Sequence, residues 1–373
     1  MGKHQAIRDR QSRKGVGDLI DSSSFARDWI ISIRGRSFPK ADPGIIEKFI
    51  VALALLERLA LTDLDFVFKG GTSLHLLLPE FNRFSTDIDI VVRDEAPNID
   101  KALPEFAREY PFVRYSADER NNRGIPKSHF KFFYRSEVYR REEYVLLDVL
   151  YEQHGYPILQ EKEVKHHAVR MEPDSQAQVV NIPDADGLIG DKLTAFAPNT
   201  TGISRFNSDG SGRELDILKQ LFDIGRLFDY TKSIETVREA FKRISAIEAG
   251  YRKKNLSDAD VIHDVFETSL MIGSRGASSW EEFYLALLAG CRKLSGYVYN
   301  GRFVENDMIL AASKAAYLSA LLKSSTVGPI VDLVVDDSLL ESYRFSKINK
   351  LRKTNLQAFR YFKQAIIAWE TIN

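Results

Sequence analysis

The sequence has little of several features that would place it in particular protein classes. Its 373 residues include one cysteine, Cys291, which excludes a disulfide within the chain and fits a reducing cytosol. The 52 basic and 52 acidic residues cancel, so that any RNA site must be a local patch rather than a property of the whole chain. The longest strictly apolar run, residues 49–56, is far too short to cross a membrane. We therefore expect a cytoplasmic protein with no membrane partner and no secretory signal.

The strongest local pattern is a short apolar run followed by a glycine turn. Residues 66–68 are apolar and predict a buried strand. Gly70 and Gly71 come next, and glycine permits backbone geometry and close approach that a side chain would prevent. Thr72 and Ser73 then open a predicted helix, whose first backbone amides attract phosphate. The sequence therefore predicts a phosphate-binding turn.

A second predicted strand, residues 87–92, begins with two carboxylates. Side chains alternate along a strand, so Asp87 and Asp89 point to one side while Ile88 and Ile90 face a core. A glycine pair alone is usually only a tight turn, and an Asp-x-Asp pair alone is usually solvated. Together within one short stretch, they predict a Mg²⁺ site for phosphoryl or nucleotidyl transfer.

These motifs resemble those of a known enzyme superfamily. The segments KGGTSL at 69–74 and RFSTDID at 83–89 follow the GG[ST]…D-x-D pattern of nucleotidyltransferases related to polymerase beta. In their longer form they closely resemble the AbiEii/AbiGii-type toxins and their MenT relatives. The resemblance implies Mg²⁺-dependent transfer of a nucleoside monophosphate from an NTP to an acceptor hydroxyl.

The resemblance also implies partners and residue roles. It implies a toxin of a toxin–antitoxin or phage-defence (abortive infection) pair, acting on a tRNA 3′ end or another RNA and opposed by a cognate antitoxin protein. Asp87 and Asp89 would hold the metal and carry catalysis. The residues that would hold the triphosphate are Gly70, Gly71, Thr72, Ser73 and Ser85.

The predicted strand at residues 143–150 has one acid, Asp148, within its apolar stretch 144–150. A buried unpaired carboxylate is costly, so Asp148 meets either a basic side chain or a metal. In the resemblance it falls where a third metal-binding carboxylate lies, which implies Asp148 as a third metal ligand.

Leu188, Lys192 and Phe196 are four residues apart and share one face of a predicted helix. A lysine on an apolar face either extends its ammonium group to water or meets an anion. The toxin family carries an essential lysine in a matching DKL segment, which implies Lys192 as a catalytic residue and triphosphate ligand.

The next predicted helix, residues 213–229, contains Lys219 and Asp223 one turn apart, a spacing typical of an intrahelical ion pair. They match the ends of a lysine–aspartate–aspartate motif in the family, with Gln220 in place of the middle aspartate. The resemblance thus implies Asp223 as a base or positioning group, whereas any role of position 220 is weakened.

Two basic segments are candidate RNA contacts. Residues 1–17 are either a disordered arm or an RNA contact. The segment 347–353, with Arg360 and Lys363 beyond it, either grips an RNA backbone through charge and stacking or is a solvated face over a core. The aromatic residues interleaved with it are Phe359, Tyr361, Phe362 and Trp369.

We expect an α+β fold, in which a nucleotidyltransferase-type mixed β-sheet with flanking helices is followed by a mostly α-helical C-terminal domain. The predicted divisions are an N-terminal arm and helix at 1–40, a nucleotidyltransferase domain at 41–230 and a helical domain at 231–373. Two other functions remain open. One is a same-fold enzyme that modifies a small molecule or a protein, and the other is a non-catalytic NTP- or RNA-binding protein. The presence of both Asp87 and Asp89 argues against the latter.

Overall fold

The computed structural model divides the chain into two compact units, and each is described by itself. The first comprises Met1–His154 with Gln160–Ile182, and the second Gly155–Leu159 with Pro183–Asn373. The predicted arm at 1–17 lies outside the described residues, and the predicted domain bounds stay a prediction. The residues that the structure describes are 20–93, 99–118, 125–252, 255–277, 280–324, 327–328 and 336–371.

The first unit is built on a seven-stranded mixed sheet, which confirms the predicted architecture. In chain order its strands are β1 (Phe66–Lys69), β2 (Asp87–Val92), β3 (Phe112–Ala117), β4 (Lys127–Arg135), β5 (Glu142–Tyr151), β6 (Leu159–Glu163) and β7 (Val179–Pro183). They lie in the order β3-β4-β5-β2-β1-β7-β6. The β1–β2, β3–β4 and β4–β5 pairs are antiparallel, whereas β2 pairs with β5, and β1 with β7, in parallel.

Helices of the first unit flank this sheet. They are α1 (Arg27–Ser37), α2 (Pro43–Leu61), α3 (Gly70–Leu77) and α4 (Ile99–Phe106), preceded by a 3₁₀ turn at Ser22–Phe25. The sequence predicts the start of α2 because Asp42 is a good N-cap and proline suits the first helical position. The Asp42 carboxylate accepts hydrogen bonds from the backbone N–H groups of Gly44 and Ile45. The apolar side of α2 packs on β2 and β5.

The alternation of β2 and β5 positions the site. Ile88 and Ile90 are buried, while Asp87 and Asp89 are half-buried on the opposite face of β2. On β5 the same alternation buries the neighbours of Asp148 and leaves its carboxylate on the half-buried face. Because directly paired residues in a sheet point to the same side, the acidic residues of β2 and β5 share one face.

The second unit is helical, as predicted. Its helices are α5 (Ala185–Ala195), α6 (Glu214–Leu227), α7 (Ile234–Arg252), α8 (Asp258–Gly273), α9 (Glu281–Leu294), α10 (Glu305–Lys323), α11 (Ser346–Thr354) and α12 (Leu356–Thr371). The alanine-rich α10 is buried on most of its surface and packs against α6, α8 and α12. Among the described residues, no helix combines the length and apolar character needed to cross a membrane.

Helical periodicity in the sequence predicts a single helix over residues 343–371, and this prediction is wrong. A 3₁₀ turn at Tyr343–Phe345 and two helices, α11 and α12, replace it. The break falls at Asn355, whose side-chain oxygen accepts a hydrogen bond from the backbone N–H of Ala358. Asparagine is a strong N-cap, so it begins a new helix where apolar periodicity alone predicts a continuous one.

Candidate active site

The glycine turn lies against a carboxylate of β2. Gly70 begins α3 with a φ of +83°, in the left-handed region that favours glycine. A Cβ atom on Gly70 would lie 2.1 Å from Oδ2 of Asp89. Both the backbone conformation and this close approach therefore require glycine at position 70.

Two hydroxyl groups fasten the turn to the strand. Thr72 Oγ1 donates a hydrogen bond to the backbone carbonyl of Asp87 at 2.7 Å, and Ser73 Oγ donates to the carbonyl of Gly70 at 2.9 Å. Both side chains are fully buried. The hydroxyl protons of these two predicted triphosphate ligands are thus engaged within the protein, and the N-terminal backbone amides of α3 are the remaining donor type at the turn.

Gly71 adjoins Ser85, another predicted ligand, and Arg83, to which sequence reasoning assigned no role. A Cβ atom on Gly71 would lie 2.6 Å from Ser85 Oγ and 2.7 Å from Nη2 of Arg83. Arg83 is 2% exposed and donates from Nη1 to the carbonyl of Phe84. A buried guanidinium beside a predicted phosphate-binding turn is a functional candidate. Its signal in the sequence is a lone arginine between two phenylalanines, Phe81 and Phe84.

The acidic residues belong to a row of ionisable side chains across four strands. Asp89 on β2 pairs in register with Asp148 on β5 and with Lys69 on β1. Asp148 in turn pairs with His129 on β4. We call these four residues the charged row. The strand spacing in a sheet is about 4.8 Å, so the sheet brings these side chains together although they lie far apart in the sequence.

Asp148 meets basic partners, the first of the two alternatives that its sequence context left open. Its Oδ2 lies 2.9 Å from Nζ of Lys127, and its Oδ1 lies 2.6 Å from Nδ1 of His129. Burial raises the pKa of Asp148, but the charge of Lys127 and the hydrogen bond from His129 outweigh burial and hold the pKa below its ordinary value. Asp148 is therefore an ionised, doubly engaged carboxylate.

Asp89 has the opposite electrostatic character. Burial, followed by the negative charge of Asp148, raises the pKa of Asp89 to about 6. Lys127 opposes this effect, while Asp87 adds to it. A bound cation would offset the repulsion among these carboxylates, because an opposite charge favours the ionised form.

The donor set fits a magnesium ion held by two carboxylates. Within the described part of the chain, no group of three or more His, Cys, Asp or Glu residues is arranged as a metal site. Mg²⁺, however, is commonly bound through one or two carboxylates, with substrate phosphates and water supplying the other oxygens. Asp87 and Asp89, on one face of β2 beside the glycine turn, match that requirement.

The second unit brings Lys192 and Asp223 together. Nζ of Lys192, on α5, lies 3.0 Å from Oδ2 of Asp223, on α6. Lys192 is 6% exposed and Asp223 is fully buried, so the lysine does not extend to water as one alternative had it. The anion that it meets in this structure is an internal carboxylate. On the same helix as Asp223, Lys219 lies 3.8 Å from Asp216 and over the ring of Tyr297.

The aromatic residues of the C-terminal basic segment are not a stacking surface. Phe359 and Phe362 are fully buried, and Trp369 stacks on Phe266 with ring centroids 3.9 Å apart. Tyr361 packs edge-on against Phe228. Of the two alternatives, base stacking does not hold for Phe359 and Phe362, because the helical spacing that interleaves them with charges also turns them into the core. Tyr361 and Trp369 are half-buried and pack against aromatic rings of the protein.

The basic residues of that segment divide into two groups. Arg360 is ion-paired with Asp337, and Lys363 is 4% exposed and held by Asp336. The others are exposed on α11, and the structure shows no ion pair between them and a described acidic residue. We call these four the basic cluster: Lys347, Lys350, Arg352 and Lys353.

Comparisons with known proteins give one family. The family model for the AbiEii nucleotidyl transferase toxin of type IV toxin–antitoxin systems matches residues 54–286, more than half of the chain. The crystal structure of JHP933 from Helicobacter pylori is 15% identical, covering 74% of this chain and 89% of that one with a TM-score of 0.39. A second H. pylori structure, described as a candidate nucleotidyltransferase, is 15% identical, covering 74% and 92% with a TM-score of 0.38. No curated protein matches the chain.

Proposed function

Because this chain belongs to the AbiEii nucleotidyltransferase toxin family of type IV toxin–antitoxin systems, we propose that it transfers a nucleoside monophosphate from an NTP to an acceptor hydroxyl with the help of Mg²⁺. The family also implies a cognate antitoxin. The observation that carries the proposed reaction is the position of Asp87 and Asp89 on one face of β2, with the Asp89 carboxylate against Gly70.

The chain's own residues bind and orient the NTP. Asp87 and Asp89 would hold Mg²⁺, which when bound polarises the α-phosphate and offsets negative charge. The turn at Gly70 and Gly71 has no side chains to block a phosphate from the first amides of α3, where the helix dipole favours an anion. The N-cap of α3 is Lys69, which pairs with Asp89 in the sheet register and adds a positive charge beside this turn.

The buried Lys192–Asp223 pair is the second element of the proposal. Its family match assigns Lys192 to the triphosphate and Asp223 to orienting or deprotonating the acceptor hydroxyl. The contact at 3.0 Å supports these roles because a carboxylate anchor holds a lysine in one orientation.

We assign RNA, and a tRNA 3′ end in particular, as the acceptor. The basic cluster on α11 supports this assignment, since it offers four exposed cations to a phosphate backbone. Tyr343, one turn before α11, is 90% exposed and is available for stacking on a base. No observation favours a small molecule or a protein as the acceptor.

The experiment that tests the proposal supplies each labelled NTP with Mg²⁺ and one of three acceptors: total tRNA, protein, or none. Label transferred to tRNA supports the proposal. Label that appears only on protein would identify a different acceptor, and label released only as free nucleotide would identify hydrolysis instead. No transfer to any acceptor, by a protein that melts cooperatively, would favour the non-catalytic NTP- or RNA-binding alternative.

A further inference from the structure

One carboxylate of the charged row is engaged by two basic side chains. Lys127 Nζ contacts one oxygen of Asp148, and His129 Nδ1 contacts the other. The two side chains of the ion pair are 29% and 16% exposed, so the pair is only partly screened by water. To bind a metal directly, Asp148 would have to use the remaining lone pairs of these oxygens, beside the ammonium group of Lys127.

The ion pair is nevertheless adjacent to the proposed metal ligands. Asp148 pairs directly with Asp89 across parallel strands, and Lys127 lies two residues from His129 on the same face of β4. Strand β5 lies between Lys127 on β4 and the ligands on β2, so the positive charge of Lys127 acts on any cation held by Asp87 and Asp89 across one intervening strand.

We propose that Lys127 and Asp148 form a built-in ion pair beside the metal site, so that Asp148 is not a ligand and Lys127 weakens the binding of free Mg²⁺ to Asp87 and Asp89. The protein would then acquire its metal together with the NTP, whose phosphates complete the coordination. This inference rests on the proposed function, since it takes Asp87 and Asp89 to be the metal ligands.

The size of the effect follows from the position of the pair. Removing Lys127 takes the ammonium partner away from the negative charge of Asp148 next to Asp89 and removes a competing cation. Loss of a unit positive charge beside the bound cation should change its affinity by about five- to tenfold, which corresponds to about 1–1.4 kcal/mol. We therefore expect Lys127→Met to bind a divalent cation about five- to tenfold more tightly than wild type.

A rival arrangement uses the same residues differently. If Asp148 leaves Lys127 and becomes the third ligand, deleting both partners of the pair removes a ligand without changing net charge. If our proposal is right, the same double change removes a neutral unit that lies outside the coordination sphere. The two arrangements therefore give opposite results for the double variant Lys127→Met/Asp148→Asn.

The chain offers a matched control for the lysine. Lys131 is on the same face of β4, is 27% exposed and is paired with Asp118 at 3.3 Å. Lys131→Met therefore removes the same charge from the same strand, but at a position separated from Asp87 by Leu146 on β5 rather than beside Asp148. It separates a local effect on the metal site from a general change in net charge.

The test is a titration of each purified protein with MnCl₂ in the absence of nucleotide, followed by the EPR signal of free Mn²⁺. We expect Asp89→Asn to lose binding, Lys127→Met to gain about five- to tenfold, and Lys131→Met to stay within about twofold of wild type. The double variant should stay within about threefold of wild type. Melts in EDTA establish that each variant is folded, and Lys127→Gln replaces any Lys127→Met protein that is not.

Three results would overturn the inference while leaving the metal site in place. These are an unchanged or weaker affinity in Lys127→Met, an equal gain in Lys131→Met, and a loss in the double variant as large as that in Asp89→Asn. The last would identify Asp148 as the third ligand. Equal binding by wild type and Asp89→Asn would instead contradict the proposed function itself, along with the inference.

Discussion

Replacing Gly70 with alanine tests why the glycine turn and the Asp-x-Asp strand occur together. Alanine at a φ of +83° costs about 1–2 kcal/mol of folding free energy, because the left-handed region is strained for any residue with a Cβ. The new Cβ would also lie 2.1 Å from Oδ2 and 2.8 Å from Cγ of Asp89. An ordinary contact is about 3.4 Å, so the carboxylate has to move by about 1 Å.

Such a displacement is large for catalysis and small for stability. Misplacing a reacting group by about 1 Å can cost roughly a hundredfold in rate. We therefore expect Gly70→Ala to lose about a hundredfold in NTP transfer while remaining folded, with an unfolding free energy lower by about 1–2 kcal/mol.

Gly210 provides a matched control. It has the same φ of +83°, and a Cβ atom there would meet nothing within 4 Å. Gly210→Ala should lose a similar amount of stability in urea melts and keep its transfer rate. If Gly70→Ala transfers within tenfold of Gly210→Ala, the contact between Gly70 and Asp89 does not position a catalytic carboxylate, and the reasoning fails.

Three further predictions concern other parts of the chain. Lys192→Met should abolish transfer and also lower the unfolding free energy by about 3–5 kcal/mol, because it removes the ammonium partner of the fully buried Asp223. Lys192→Met/Asp223→Leu should regain stability in thermal melts but not activity, and activity in either variant would exclude the lysine from the reaction. The triple variant Lys350→Gln, Arg352→Gln and Lys353→Gln in the basic cluster should lower the slope of log affinity for tRNA against log salt by about two to three. The control is the same change at three ion-paired basic residues, and it should leave the slope unchanged: Arg243→Gln, Arg275→Gln and Lys293→Gln. An unchanged slope would place the RNA contact elsewhere. Burial holds the pKa of His75 well below its ordinary 6.5. Below that pH the unfolded chain therefore takes up a proton that the folded chain does not, and the unfolding free energy falls by about 1.4 kcal/mol per pH unit for this residue. Urea melts from pH 7 to 5 should show a smaller slope in His75→Phe, and an equal slope would contradict this account.

The parts of the fold that the sequence predicted are those with a local cause. Asp42 and the proline after it mark the start of α2, and the alternation in β2 assigns Asp87 and Asp89 to one face. Strands β3, β6 and β7 escaped prediction. Strand β6 reads LQEKE and contains no buried residue, so that no apolar alternation marks it. Its place in the sheet comes from its pairing with β7, and local periodicity does not encode that pairing.

The same division applies to the site. The glycine turn and the Asp-x-Asp strand are contiguous motifs, and they could be read directly. The partners of Asp148, namely Lys127 and His129, depend on the register of β4 on β5, which the sequence does not state. Likewise Lys192 meets Asp223 only because α5 packs on α6.

The most direct test of the central claim is NTP transfer to tRNA by wild type, Asp87→Asn and Asp89→Asn, with Mg²⁺ or with EDTA. Asp118→Asn is the control, because Asp118 lies in the same unit and pairs with Lys131. The account predicts transfer by wild type and Asp118→Asn with Mg²⁺, and none by either β2 variant or in EDTA. Transfer by a folded Asp87→Asn or Asp89→Asn protein above about a tenth of the wild-type rate, a loss of only ~1.4 kcal/mol, would contradict it.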